Sequence, residues 1–445
     1  MTPSPVRFDL TETRAAATKD AAALLEQVVA RARMHAGKHV FIELAHDTAI
    51  REQLESQRAR HSNGETLPLM CVPVAVKDNI NVAGFPTTAG CPDFAYTPTT
   101  HAASVQRLVQ AGAIIIGKTN LDQFATGLVG VRSPYGHCVS QVNPDYISGG
   151  SSSGSALAVA LGIVPLALGT DTAGSGRVPA AFNGIVGLKP TRGVISTRGV
   201  VPACRSLDCV SVFATSVSDA WEALNLLASY EPQDPFSHKT PYGWKASDIQ
   251  TAFRFGVPSS VEYFGNCEYE EAFRGAVARL QDIGGTPVEV NLDDFVAAGE
   301  LLYGGPWVAE RYAAVGAFID QNPDAVHPVV REIILSGKTP LAHELFEAEY
   351  RLRELKRKTS QCWDKVDVLA LPTTGTIYSV AEVLSNPFET NKNLGKYTNF
   401  VNLLNLAGLA LPGPSTARGL PFGITLLGPA FSDYQLVTIG KRYAP

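Results

Sequence analysis

Three short stretches carry residue types whose combination does chemistry: Lys77 in Pro73-Val-Ala-Val-Lys-Asp-Asn79, Ser151 in Gly149-Gly-Ser-Ser-Ser-Gly154, and Ser175 in Gly169-Thr-Asp-Thr-Ala-Gly-Ser-Gly-Arg177. A serine hydroxyl is a weak nucleophile until a base removes its proton, and a lysine serves as that base when desolvation lowers its pKa toward neutrality. Lys77 closes an apolar run, which is where such desolvation is expected. A second hydroxyl both donates and accepts, so Ser151 is placed to relay the proton that Ser175 loses. Thr172, Ala173 and Gly174 precede Ser175 with small side chains, so their backbone N–H groups can converge on a developing oxyanion.

Each residue also has a plainer reading. A lysine after an apolar strand is usually a surface residue with its stem buried. A serine in a Gly/Ser loop is usually a turn or cap residue, the role expected of Ser148, Ser152, Ser153 and Ser155. Gly150-Ser-Ser-Ser-Gly154 also satisfies G-x-S-x-G, but that elbow needs an acid and then a histidine downstream, and the later histidines sit in polar settings without a supporting motif. A phosphate-cradling reading fails because the loop lacks the Lys-Ser/Thr ending.

The elements that must position these residues follow from periodicity. Lys19 to Met34 reads as an amphipathic helix, and the polar stretch Arg58 to Thr66 as a loop. From Leu67 on, short apolar runs (Val72 to Val76, Ala113 to Gly117, Val164 to Leu168) alternate with helical patterns such as Ala102 to Ala111, which predicts an α/β sheet core. A helix is expected over Ser218 to Tyr230, followed by an exposed Pro-rich connection from Glu231 to Asp248. Helices are expected again over Glu270 to Ile283 and Leu341 to Trp363. Val366 to Leu371 and Phe422 to Leu427 return to strand-like runs that should rejoin the first sheet.

Composition narrows the function classes. Of 445 residues, 45% are apolar and 18% charged, enough to bury a large core and too ordered in composition for a disordered chain. The balance of 37 basic against 42 acidic residues, with no block of like charge, gives no sign of a nucleic-acid partner, and none is expected. Met1 to Asp9 lacks a secretion signal, and the weakly polar run Ala156 to Gly169 contains Gly162 and Pro165 and is shorter than the roughly 18 residues a span requires. A cytoplasmic chain with no membrane partner is the expectation. The seven cysteines lack a C-x-x-C pair and read as reduced, packed thiols, Cys209 among them. The nine histidines are too scattered for a zinc site.

The run Gly149 to Ala156, the run Pro165 to Arg177 and Gly187-Leu-Lys-Pro-Thr191, together with Val76-Lys-Asp-Asn79 and Gly117-Lys-Thr-Asn120, resemble the amidase signature family. The resemblance implies one mixed, twisted β-sheet flanked by helices on both faces, and a Ser-cisSer-Lys triad falling on Ser175, Ser151 and Lys77. It implies an oxyanion hole from Thr172, Ala173 and Gly174 with the Ser175 amide, Asp171 and Arg177 as structural partners, and no metal or organic cofactor. Three further stretches resemble the allophanate hydrolase branch: Thr119 to Gly136, Arg205 to Phe213, and Leu302-Tyr-Gly-Gly-Pro-Trp-Val-Ala-Glu-Arg311. There the resemblance has Tyr303 and Arg311 hold the carboxylate of a small anionic amide, with Gly127 lining the pocket through its backbone. A planar guanidinium is the natural reader of such a carboxylate. The alternatives from the same resemblance are an amidase of broad small-amide specificity and a transamidase-type component of a larger complex.

The whole chain, 1–445, reads as one domain, with an N-terminal helical part to about residue 66 and a helical insertion over about 265–363. The resemblance further implies a homodimer, a functional link to urea carboxylase, and a smaller C-terminal domain that would lie beyond Pro445, so the chain is expected to be a truncation or a short natural form.

Overall fold

The computed structural model describes residues 9–241, 243–245 and 251–444. The stretch before Asp9 and part of the Pro-rich connection (242 and 246–248) lie outside the described residues. Eleven strands form one sheet: β1 (Phe41–Leu44), β2 (Pro73–Lys77), β3 (Ile114–Thr119), β4 (Leu166–Asp171), β5 (Val186–Lys189), β6 (Cys209–Ala214), β7 (Phe253–Pro258), β8 (Gly285–Val290), β9 (Val368–Pro372), β10 (Ala407–Pro412) and β11 (Gly423–Gly428). Their spatial order is β1-β3-β2-β4-β6-β5-β10-β11-β9-β7-β8. β2 runs parallel to β3 and β4, and β7 parallel to β8 and β9, while the strands between pair antiparallel. The two expected late strands, β9 and β11, do rejoin the first sheet, through β10, a strand not expected from the sequence, which pairs with both β11 and β5.

The strand sequences explain why both faces are covered. Side chains alternate across a strand, so Val74 and Val76, Ile115, and Leu166 and Leu168 enter one apolar core, while Ala75, Ile114 and Ile116, and Ala167 enter the other. Continuous apolar runs are what a strand buried on both faces requires. One core is closed by helices that include Val217–Leu227 and Asp433–Tyr443, the other by Leu10–Met34, Asp47–Ser62 and Ser153–Ala160. The last of these is buried at every residue, as its sequence Ser-Gly-Ser-Ala-Leu-Ala-Val-Ala, apolar or small all round, demands.

The differences from expectation have local causes. The polar stretch from Arg58 is helical through Ser62, because Gln57 and Arg60 spend their polar ends on the carbonyls of Val109 and Gln110, so its polarity is absorbed by docking rather than by a loop. The N-terminal part contains the edge strand β1, and the insertion contains β8. Both are short edge strands whose weak alternation hides them beside long helices. In the connection after Leu227, Asp234 is buried and accepts from the Ser196 hydroxyl and the Thr197 amide, so that stretch is tied down. Among the described residues no helix is long and apolar enough to cross a membrane.

Candidate active site

β2 and β4 are adjacent and parallel, with Val76 opposite Leu168, so their C-terminal ends set Lys77 level with Gly169 and within reach of Thr170. Loops at such strand ends are where open α/β sheets place their sites. Lys77 follows Val76, so its side chain lies on the Ala75 face, beneath the start of helix Ser153–Ala160. There Lys77 Nζ donates to Ser151 Oγ at 2.8 Å and to Thr170 Oγ1 at 2.7 Å, fully buried. Burial pulls its pKa down to about 7, against the opposing fields of Asp122, Asp208 and Asp171. A lysine of this kind is uncharged for much of the neutral range and able to accept a proton.

The Gly150–Ser151 peptide is cis. Gly150 packs so closely on Asp122 that a Cβ there would collide with the carboxylate, which also accepts the amides of Val129, Gly130 and Arg132 and thereby shapes the loop around Gly127. Gly154 is similarly required, because a Cβ would strike the Val40 carbonyl and the Asn120 backbone. Ser148, Ser152, Ser153 and Ser155 all direct their hydroxyls to backbone carbonyls, as turn and cap residues do.

Ser175 is 3% exposed, and its backbone carbonyl accepts from the Ser152 amide at 3.3 Å, which laces the two serine loops together. Its Oγ sits 3.5 Å from the Gly127 carbonyl. Among the described residues the Ser151 hydroxyl bonds Lys77 and none joins Ser151 to Ser175. Asp171 holds the loop. It takes a bidentate ion pair from Arg177, with Nε and Nη2 each at 2.9 Å, and the amides of Gly174, Gly176 and Arg177. Burial works against this carboxylate, but Arg177 beside it holds its pKa below the ordinary value. The Gly174 amide is therefore committed to Asp171 and is not free to bind an oxyanion. The Thr172, Ala173 and Ser175 amides remain. The Thr172 hydroxyl donates to Asp208, whose pKa burial pushes up to about 6 against that bond and the amides of Cys204 and Ala203.

Tyr303 and Arg311 are on consecutive helices, Asp293–Gly304 and Trp307–Gln321, bent at Gly305-Pro306. Arg311 is 1% exposed; its Nη2 donates to Tyr303 Oη at 3.2 Å, its Nη1 to Thr126 Oγ1 at 3.1 Å, and its guanidinium lies 5.0 Å from the Tyr303 ring centre. Thr126 precedes Gly127, so the arginine and Ser175 meet the same short loop from two sides. Cys209 is packed, with Lys189 Nζ 3.7 Å from its sulfur. The sequence motifs single out none of Thr170, Asp122, Asp208 and Thr126. The parallel register sets Gly169 level with Lys77, and Thr170, one residue on, is reached by the long lysine side chain, a contact that register alone does not announce; the other three reach the site through loop closure.

A profile of the Amidase family matches residues 23–437. Urea amidolyase of Saccharomyces cerevisiae (strain ATCC 204508 / S288c) is 44% identical over 423 residues, which is 94% of this chain and 23% of that protein, so the chain spans about a quarter of that relative's length. The structure of Kluyveromyces lactis allophanate hydrolase superposes with a TM-score of 0.94 at 42% identity, over 98% of this chain and 72% of that one. A component of the glutamyl-tRNA(Gln) amidotransferase of Chloroflexus aurantiacus (strain ATCC 29366 / DSM 635 / J-10-fl) is 34% identical across 91% of this chain and 88% of its own length. With sheet, serine loops and buried lysine arranged as above, and a family match across nearly the whole chain, this protein belongs to the amidase signature family.

Proposed function

We propose that the chain hydrolyses allophanate, the N-carboxylated form of urea, with Ser175 as nucleophile, Ser151 as proton relay and Lys77 as base. The observation that carries the substrate reading is Arg311: a buried guanidinium, held by Tyr303 and Thr126 beside the Gly127 loop, is suited to a planar carboxylate. The likeness to urea amidolyase and to K. lactis allophanate hydrolase supports the same reading.

In this mechanism Ser175 Oγ turns from the Gly127 carbonyl toward Ser151 and attacks the ureido carbonyl. Its proton passes through Ser151 to Lys77, and the Thr172, Ala173 and Ser175 amides receive the oxyanion. Collapse breaks the bond to the terminal nitrogen, which takes the proton and leaves as ammonia. Water, deprotonated through the same pair, adds to the acyl carbon and releases Ser175, leaving N-carboxycarbamate. The substrate must come from a reaction that carboxylates urea, which places the chain in urea degradation.

The test is ammonia release by the purified chain from allophanate, with acetamide, biuret and malonamate alongside and Ser175→Ala as the blank. Release from allophanate, lost in Ser175→Ala, is expected. Turnover of neutral amides without allophanate would sink the substrate assignment and favour a broad small-amide amidase. That second reading draws on the roughly 1040 Å³ cavity bordered by Tyr303, which is far larger than allophanate needs.

A further inference from the structure

Thr126 is flanked by two buried guanidinium groups. Arg311 Nη1 donates to its hydroxyl at 3.1 Å, and Arg132 Nη1 donates to its carbonyl at 3.2 Å, while Arg132 Nη2 reaches the Pro387 carbonyl at 2.7 Å. Arg132 is 2% exposed and Arg311 1%. Both Nε–H groups are buried and, among the described residues, have no acceptor. The two fully buried ion pairs among the described residues, Lys118 with Asp78 and Arg177 with Asp171, involve neither. Asp122 is the carboxylate whose field Arg132 feels most, but its oxygens are occupied by the Val129, Gly130 and Arg132 backbone amides.

Arg132 and Tyr303 both lie in the wall of the 1040 Å³ cavity, which Lys392 and Lys396 also border. Three glutamates, Glu262, Glu300 and Glu332, also border it, but they are exposed, so water screens them far more than it screens the two arginines. Asp208 and Glu310 favour the charge on Arg311 and Asp122 that on Arg132, but among the described residues none of these carboxylates forms an ion pair with either guanidinium, so an anion that paired with both directly would be favoured. One guanidinium is sufficient for the single carboxylate of allophanate. The hydrolysis makes a second: when water displaces Ser175, the acyl carbon becomes a carboxylate, and the bound molecule passes from one negative charge to two.

We propose that Arg132 is a second anion-specificity residue, forming with Arg311 a two-guanidinium site around Thr126 that takes short, planar dicarboxylates and is reached through the large cavity. The proposal rests on the allophanate reading for its biological ligand, but not for its test. Malonate is the probe, since it replaces the central N–H of N-carboxycarbamate by CH2. Malonamate carries one carboxylate and malonamide none.

Calorimetric titration of the intact chain with the three compounds should show malonate binding about tenfold tighter than malonamate, and malonamide weakest. Arg132→Met should remove most of the malonate advantage while changing malonamate about threefold or less, whereas Arg311→Ala should weaken both. Arg132→Lys should restore part of the dianion preference. A loss common to all three compounds in folded Arg132→Met would mean that Arg132 only braces the Thr126 carbonyl, and would overturn the proposal. So would the absence of dianion preference in the unmodified chain, a measurement that does not depend on any variant folding. Failure of the substrate reading looks different: no ammonia from allophanate, with the Arg132-dependent preference for malonate intact.

Discussion

Lys77 combines complete burial with two hydroxyl partners and no carboxylate in direct contact, so its charge is set by desolvation more than by any neighbour. Activity should therefore fall as pH drops through about 7, where Lys77 takes up a proton and can no longer serve as the proposed base, and a pH profile of kcat/KM should show an acid limb near that value. Lys77→Met should abolish the limb together with the activity. The stability consequence has a definite sign. Between about 7 and the ordinary lysine value of 10.5 the unfolded chain holds a proton that the folded chain has lost, so stability contributed at this residue rises with pH across that window. Denaturant unfolding at pH 7 and pH 9.5 should show the rise in the native protein and a smaller one in Lys77→Met. At the other end of the site, Arg311→Ala should raise KM for allophanate by about 100-fold or more, because the carboxylate loses a charge-assisted pair in a desolvated pocket. A steady-state comparison with a neutral amide, whose KM should change little, checks that the loss concerns charge.

At the scale of elements, the site is the meeting of two parallel strand ends with two glycine-rich loops, and its precision comes from buried carboxylates that bind backbone amides. Asp122 ties down the Gly127 loop and Asp171 the Ser175 loop, each through three amides. Asp171 is compensated by Arg177, so Arg177→Met should strand a buried charge and cost about 3–5 kcal/mol, measurable by urea denaturation. The cost of Asp122→Ala should appear first in catalysis, since Gly127 and Thr126 would lose their register against Ser175 and Arg311. Gly150 belongs to the same argument: Gly150→Ala would drive a methyl into Asp122 and displace the Ser151 backbone, and a fall in kcat larger than the fall in thermal stability is expected.

At the scale of the whole molecule, one sheet runs through the chain and β5, central in it, pairs on one side with β6 and on the other with β10. The helix Asp433–Tyr443 closes the core over these strands. Asp433 accepts the Thr191 amide and hydroxyl at 2.8 and 2.7 Å, directly after β5, and Leu436, Val437, Ile439 and Tyr443 are buried. At about 1.5–3 kcal/mol for each large apolar side chain, removal of residues 433–445 forfeits an amount comparable to the entire net stability of a typical protein. The shortened chain should fail to fold, seen as loss of a cooperative melting transition, even though it keeps every residue of the proposed triad.

What one sequence determined here was local and chemical. The apolar runs around Val74, Ile115 and Leu166 announce strands because an apolar run with no polar face has to be buried on both sides, and the motifs containing Lys77, Ser151 and Ser175 point to acyl chemistry through their resemblance to the amidase signature, since lysine and serine singly are more often surface and turn residues. Tertiary structure decided which donors are free and which side chains face one another. Gly174 looks like an oxyanion donor in sequence, yet its amide is consumed by Asp171, three residues before it. Thr126 and Arg132 lie within a recognisable stretch, Thr119 to Gly136, but nothing in it assigns either a role, and loop closure sets them against an arginine 185 residues beyond Thr126 in the chain. Pairings of that kind depend on the register of distant strands and the path of the loops between them, which are settled by packing of the whole core and not by any window of residues.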